Sequence, residues 1–184
     1  RNRGYWEAIT GEDYDQVLSE LYDYCVENEV PITAHCVMDG IESYDDASYD
    51  FGKAIYWREV LDQARYRDLH VNLAHFGWNK AERYGADKDW AKDICQMATE
   101  YDHFYTDVSH HDVLSYRSRR LMKEDYSAMR EDWGTRWPEI KKKILFGIDW
   151  HVIKRVRGFR DFRQRYAEVL TYDGLYTPEE LDDF

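Results

Sequence analysis

Four short apolar runs alternate with longer stretches of helical period along the chain. They are Ile32-Thr33-Ala34-His35, Val71-Asn72-Leu73-Ala74-His75, Phe104-Tyr105-Thr106-Asp107-Val108 and Ile144-Leu145-Phe146-Gly147-Ile148-Asp149. Their length and their β-branched and aromatic content suit buried strands. Between them, apolar residues recur three and four apart. Val17, Leu18, Leu21, Tyr22 and Cys25 predict a helix before the first run; Ile55, Tyr56, Val60, Leu61 and Ala64 predict a second. Trp90, Ile94, Met97, Ala98 and Tyr101 predict a third. An interrupted pattern from Leu121 to Met129 fades near Gly134 and Pro138, and another covers Phe159 to Leu170. Thr177-Pro178-Glu179-Glu180 predicts a fresh helix start, with Thr as N-cap, Pro at the first helical position and Glu at the third.

Helix followed by strand, four times over, implies right-handed crossovers and a parallel sheet. Two architectures satisfy this. One is an open four-stranded sheet; the other is half of an eight-stranded (β/α)8 barrel, whose full form takes about 250 residues. The chain has 184 residues, with neither an internal repeat nor a Pro/Gly/Ser linker, so residues 1–184 read as one unit. At 43% hydrophobic and 16% aromatic it is no disordered segment. No run approaches the roughly 18 to 20 apolar residues of a membrane span. Lys and Arg number 25 against 37 Asp and Glu, a net charge of −12, which argues against binding a phosphate backbone. Cys25, Cys36 and Cys95 form no C-x-x-C pair and no disulfide framework, which fits a reducing cytoplasm.

The strand ends separate the two architectures. Three of the four runs finish on a residue able to bind metal or move protons: His35, His75 and Asp149. Ligands of parallel α/β folds bind at that edge of the sheet, where the loops converge. Alternation puts Thr33 with His35 on one face, and likewise pairs Leu73 with His75 and Gly147 with Asp149. Two imidazoles and a carboxylate on neighbouring strand tips suit a borderline divalent metal.

Pro31-Ile32-Thr33-Ala34-His35, Asn72-Leu73-Ala74-His75-Phe76-Gly77 and Ile144-Leu145-Phe146-Gly147-Ile148-Asp149-Trp150 resemble the fifth, sixth and eighth strand signatures of amidohydrolase-related metal-dependent hydrolases. Leu175-Tyr176-Thr177-Pro178-Glu179-Glu180-Leu181 is similar to the start of that family's C-terminal helix. The resemblance implies a TIM-type (β/α)8 barrel, of which residues 1–184 would supply the C-terminal half, about strands five to eight. It also implies one divalent metal, with zinc the expected ion. By position, His35 would be a metal ligand. Asp149 would bind metal or orient and deprotonate the attacking water, and His75 would be a second ligand or a catalytic acid/base.

Two features depart from the family pattern. The His-x-His pair of the family's first strand occurs nowhere in the chain, and Gly-Ile-Asp-Trp-His replaces the usual Gly-Ser-Asp-x-Pro type of sequence at residues 147–151. With no initiator Met before Arg1, the expectation is that strands one to four lie upstream; an inactive remnant is the alternative. Four parallel strands cannot close a barrel, so the sheet should have two unpaired edges.

Smaller expectations attach to neighbouring residues. Trp78, His110, His111 and His151 follow the site strands and are candidates to line a substrate pocket. Asp107 alternates with Tyr105 and either points inward or closes a strand end by hydrogen bonds. Lys154, Arg155 and Arg157 read as a solvated basic face, with a seat for a substrate carboxylate or phosphate the less common alternative. His70 and His103 precede their strands and belong to the far edge. The expected activity is hydrolysis of a C–N or C–O bond in a small organic molecule. Alternatives are non-oxidative decarboxylation on the same scaffold and a non-catalytic half-barrel module. Expected partners are a small-molecule substrate and, through the sheet edges, further copies of the chain, with no nucleic acid or membrane.

Overall fold

The computed structural model describes residues 10–37, 52–79, 85–86, 88–109, 111, 113–148 and 159–182. Helix α1 (Gly11–Glu27) opens on a capping box, in which the Thr10 hydroxyl accepts from the Asp13 amide and the Asp13 carboxylate accepts from the Thr10 amide. Strand β1 (Ile32–Val37) follows, then α2 (Tyr56–Leu61), β2 (Val71–Asn79) and the two-residue β3 (Gly85–Ala86). Helix α3 (Lys88–Glu100) leads into β4 (Phe104–Asp107), and α4 (Tyr116–Trp133) into the short α5 (Trp137–Ile140). Strand β5 (Ile144–Leu145), α6 (Phe162–Leu170) and α7 (Pro178–Asp182) complete the described chain. The expected start of α7 is present: the Thr177 hydroxyl accepts from the Glu180 amide at 3.2 Å while the Glu180 carboxylate accepts from the Thr177 amide at 2.9 Å.

The four predicted strands lie side by side in the order β1-β2-β4-β5, every pairing parallel. β3 adds an antiparallel pairing at the end of β2. The fourth strand is shorter than the run that predicted it, because only Ile144 and Leu145 pair with β4. Neighbours in register point the same way, so two faces can be read from the pairing. Ala34, Leu73, Thr106 and Ile144 form one row of the first face, with Val71 and Phe104 in the row before it. Val71, Leu73 and Phe104 are wholly buried there under Ile94, Met97 and Cys95 of α3, in a core that extends to Tyr166 and Leu170 of α6. Thr33, His35, Asn72, Ala74, Tyr105 and Asp107 occupy the opposite face, where Thr33 and His35 are exposed.

Both outer strands lack a further partner among the described residues. Apolar side chains are also left uncovered on α1 and on β5. On α1 the expected apolar face divides: Cys25 is buried, but Val17, Leu18 and Leu21 are 62%, 42% and 47% exposed. Leu145 of β5 is 41% exposed. No helix among the described residues is long and apolar enough to cross a membrane.

Candidate active site

Near its C-terminal end β2 leaves regular pleating. β1 advances two residues from His35 to Val37 while β2 advances four from Ala74 to Trp78, so β2 bulges against its neighbour. His75, Phe76 and Gly77 all take left-handed backbone angles, with φ of 74°, 49° and 66°. For His75 and Phe76 this conformation costs about 1–3 kcal/mol each and persists only where surrounding contacts enforce it. Gly77 is required twice over: its φ is positive, and an added Cβ would lie 2.9 Å from the Cβ of buried Trp90.

The bulge corrects one expectation. Leu73 and His75 do not share a face: simple alternation would send both toward the helices, but the left-handed turn carries the His75 ring back across the sheet. There it meets His35. His75 Nε2 lies 3.2 Å from His35 Nδ1, with the rings edge-to-face and their centroids 4.8 Å apart. His75 is buried and His35 is exposed, so the pair is reached from the open face of the sheet.

Asp107 anchors this arrangement, pointing onto the open face and not away from it. Its carboxylate accepts from the Asn72 side-chain amide at 2.8 Å, from the His75 backbone N–H at 3.1 Å and from the Ser109 backbone N–H at 2.9 Å. The Ser109 hydroxyl donates a fourth, short hydrogen bond. Burial alone would raise the acid's pKa, but these donors to the ionised form outweigh it and hold Asp107 below the usual aspartate value. Ser109 in turn faces the imidazole, with its hydroxyl oxygen 2.8 Å and its carbonyl oxygen 3.2 Å from His75 Nδ1. Gly147 lies against the same group; a Cβ there would come within 3.0 Å of the Ser109 Cβ and 3.5 Å of the Asp107 carboxyl carbon.

His111 takes a place other than the one expected of it. It is 3% exposed and lines no open surface. Its Nε2–H donates to the His75 carbonyl at 2.8 Å, and the Tyr126 hydroxyl lies 3.3 Å from its Nδ1. His111 thereby occupies a backbone acceptor that the left-handed turn removes from the sheet ladder. The Tyr166 hydroxyl donates to the Val108 carbonyl, which pins the segment carrying Ser109. His70 and His103 do sit at the opposite edge, where their rings stack at 4.2 Å and their carbonyls receive the first amides of β1 and β2. The thiols of Cys36 and Cys95 are pushed up to about 12 by burial, so neither is a nucleophile at neutral pH.

Asp149, His110 and His151 lie outside the described residues, as do Lys154, Arg155 and Arg157. Trp78 is placed by its backbone alone, paired with Val37 and Ala86. Asn72, Ser109 and Gly147 were not singled out by sequence. The signals available were weak ones: an Asp-x-Ser spacing at the end of β4 and a polar residue within an apolar strand.

The donor set suits part of a metal site. Tetrahedral zinc with bonds of about 2.0–2.1 Å to imidazole sets adjacent ligand nitrogens about 3.3–3.4 Å apart. The 3.2 Å between His35 Nδ1 and His75 Nε2 is close to that spacing. Asp107 is engaged by four donors and supplies no further ligand. Among the described residues no group of three or more His, Cys, Asp or Glu side chains is placed to hold a metal ion. A family model described as amidohydrolase matches residues 7–184 of the chain. No curated protein and no solved structure matches it.

Proposed function

Since this chain belongs to the amidohydrolase family, we propose that it forms the metal-binding side of a hydrolase that cleaves a C–N or C–O bond of a small organic substrate. The scaffold is of the hydrolase and lyase type. The observation that carries the proposal is the pair of imidazole nitrogens, His35 Nδ1 and His75 Nε2, set 3.2 Å apart on the open face of the sheet. His35 and His75 would hold a divalent cation, with zinc the ion their chemistry favours, and Asp149 at the end of the fourth run would join them. Such a cation, when bound, polarises the scissile carbonyl and acidifies water. Asp149 takes the proton of the attacking water, and buried His75 excludes solvent from one side of the reacting group. His111 works from behind, by holding the His75 carbonyl.

The outer strands of the described sheet support the same reading, as part of a larger barrel. β1 and β5 have no outer partner among the described residues, and Val17, Leu18 and Leu21 of α1 and Leu145 of β5 are exposed. Further strands would cover those side chains and enclose the His35 face. Trp78, His110 and His151, which follow the site strands in sequence, would contact the substrate.

The test compares Asp149→Asn with His35→Ala, measuring turnover, metal content and melting temperature on one preparation. A panel of amides, esters, lactones and aromatic acids supplies the substrate. Loss of the base should lower turnover by about 10²- to 10⁴-fold. Metal content should drop less in Asp149→Asn than in His35→Ala, because an amide oxygen still coordinates weakly. Near-normal turnover per folded molecule in Asp149→Asn would remove Asp149 from the mechanism. Conversion of the aromatic acids with release of carbon dioxide, and of no other class, would replace hydrolysis with decarboxylation.

A further inference from the structure

Among the described residues, the contacts of Asp107 and Ser109 fix the proton on the Nδ1 side of the His75 ring. The Asp107 carboxylate only accepts. The Ser109 hydroxyl has one proton, and the carboxylate beside it has none to give, so that proton goes to Asp107. The Ser109 oxygen must then accept from the imidazole, across 2.8 Å to His75 Nδ1. The Ser109 carbonyl, 3.2 Å from the same nitrogen, is another pure acceptor and requires the same proton. Reversing the chain would set the hydroxyl oxygen's lone pairs against the carboxylate. It would also turn the Nδ1 lone pair toward the carbonyl oxygen. Both contacts are repulsive in a buried site, where His75 and Asp107 are each 7% exposed and Ser109 is 6% exposed.

We propose that Asp107 and Ser109 are positioning residues that fix His75 in the Nδ1–H tautomer, so that its unprotonated Nε2 is presented to His35. The inference rests on the role given above to the His35–His75 pair and adds the device that prepares one member of it. The same carboxylate oxygen of Asp107 receives the backbone N–H of His75 and the hydroxyl that holds its ring. One anion therefore sets both the left-handed backbone and the ring orientation. Asn72 donates to its other oxygen, which stops the carboxylate from rotating away. Gly147 allows the segment after β5 to close over Ser109, and Tyr166 anchors Val108 from the helix side. A ring held this way offers its in-plane lone pair without first changing tautomer. Loss of such an outer partner typically lowers metal affinity about 10- to 100-fold.

The experiment is nitrogen-15 NMR of histidine-labelled, chelator-treated protein at a pH where the imidazole is neutral, with His75 assigned by the signals missing from His75→Gln. The expected wild-type spectrum has a pyrrole-type Nδ1 and a pyridine-type Nε2 for His75. The opposite pattern overturns the proposal with no variant needed. In Asp107→Asn a neutral amide oxygen replaces the anion beneath the two backbone N–H groups and holds the Ser109 hydroxyl less tightly, which frees its proton to turn toward the ring. The His75 signals should then move toward the Nε2–H pattern. Ser109→Ala should give intermediate shifts, because the carbonyl remains. Unchanged shifts in both variants, with the fold retained by circular dichroism, would also overturn it. A zinc competition titration should show affinity lower by about 10- to 100-fold in Asp107→Asn. A protein with the expected tautomer that binds no zinc and turns over no substrate would refute the hydrolase reading and leave the positioning role standing. Zinc binding and turnover with His75 in the Nε2–H form would do the reverse.

Discussion

Replacing Gly77 with Ala tests whether the bulge at the end of β2 is held by packing as well as by backbone preference. A left-handed φ costs a non-glycine residue about 1–2 kcal/mol. Gly174 has nearly the same φ, +70° against +66°, but nothing within 4 Å of an added Cβ. Gly174→Ala therefore carries the backbone cost alone. At Gly77 the new methyl would sit 2.9 Å from the Trp90 Cβ and 3.4 Å from the Ala91 nitrogen. Those atoms belong to the helix backbone or adjoin it, and Trp90 is 4% exposed, so no side-chain swing relieves the clash. Overpacking of this kind adds about 1–3 kcal/mol, giving a total of about 2–5 kcal/mol for Gly77→Ala. The entropy that Ala removes from the unfolded chain applies equally to both variants and cancels between them. For a chain of this size each kcal/mol lowers Tm by about 2–4 °C. Circular dichroism melts should thus show a drop of about 2–8 °C for Gly174→Ala and about 4–20 °C for Gly77→Ala. The His75 ring signals should shift only in Gly77→Ala. Equal melting temperatures for the two variants would refute the packing account, and an unmoved His75 would separate the bulge from the site.

Other outcomes are expected from groups around the same core. Because the Asp107 pKa is depressed in the fold, its contribution is present above the ordinary aspartate value and is lost as pH falls through the folded value. The Tm difference between wild type and Asp107→Asn should therefore be largest near neutrality and shrink below about pH 4; a gap that widens on acidification would contradict the hydrogen-bond inventory. Cys36 and Cys95, buried with thiols pushed up to about 12, should resist a thiol reagent at about pH 8 in the folded protein and react once denaturant is added. Rapid modification without unfolding would show that the face between β1 and α3 opens. Thr177→Ala removes one half of the α7 capping box and should cost about 0.5–2 kcal/mol, seen as faster hydrogen exchange at the Glu180 amide. Unchanged exchange there would mean that packing alone holds α7.

Local chemistry wrote much of the fold into the residue order. The strand runs at Ile32, Val71, Phe104 and Ile144 and the helices between them follow from periods of two and three to four residues, which neighbouring residues set among themselves. Thr177 and Glu180 announce a helix start because both halves of the capping box lie within one turn. The period-two rule also placed His35 correctly on the face of Thr33. Asp107 reached the open face by the same rule, although spacing could not say that four donors would saturate it.

Tertiary structure decided the rest, and it did so where contacts join residues far apart in the chain. Alternation assigned His75 to the face of Leu73 because nothing nearby in sequence signals three consecutive left-handed residues. That turn is held by Asp107 and His111, which lie 32 and 36 residues further on, and by the close approach of Gly77 to Trp90. His111 read as a rim residue because it follows the Phe104–Val108 strand; only the fold brings Tyr126 and the His75 carbonyl to its two ring nitrogens. Likewise α1 spells a complete apolar stripe, but whether Val17, Leu18 and Leu21 are covered depends on what packs beside them. Residue order determined which side chains a strand or helix carries to each face. Which groups meet there, and so which proton sits on which nitrogen of His75, was set by register between strands that the local periods do not encode.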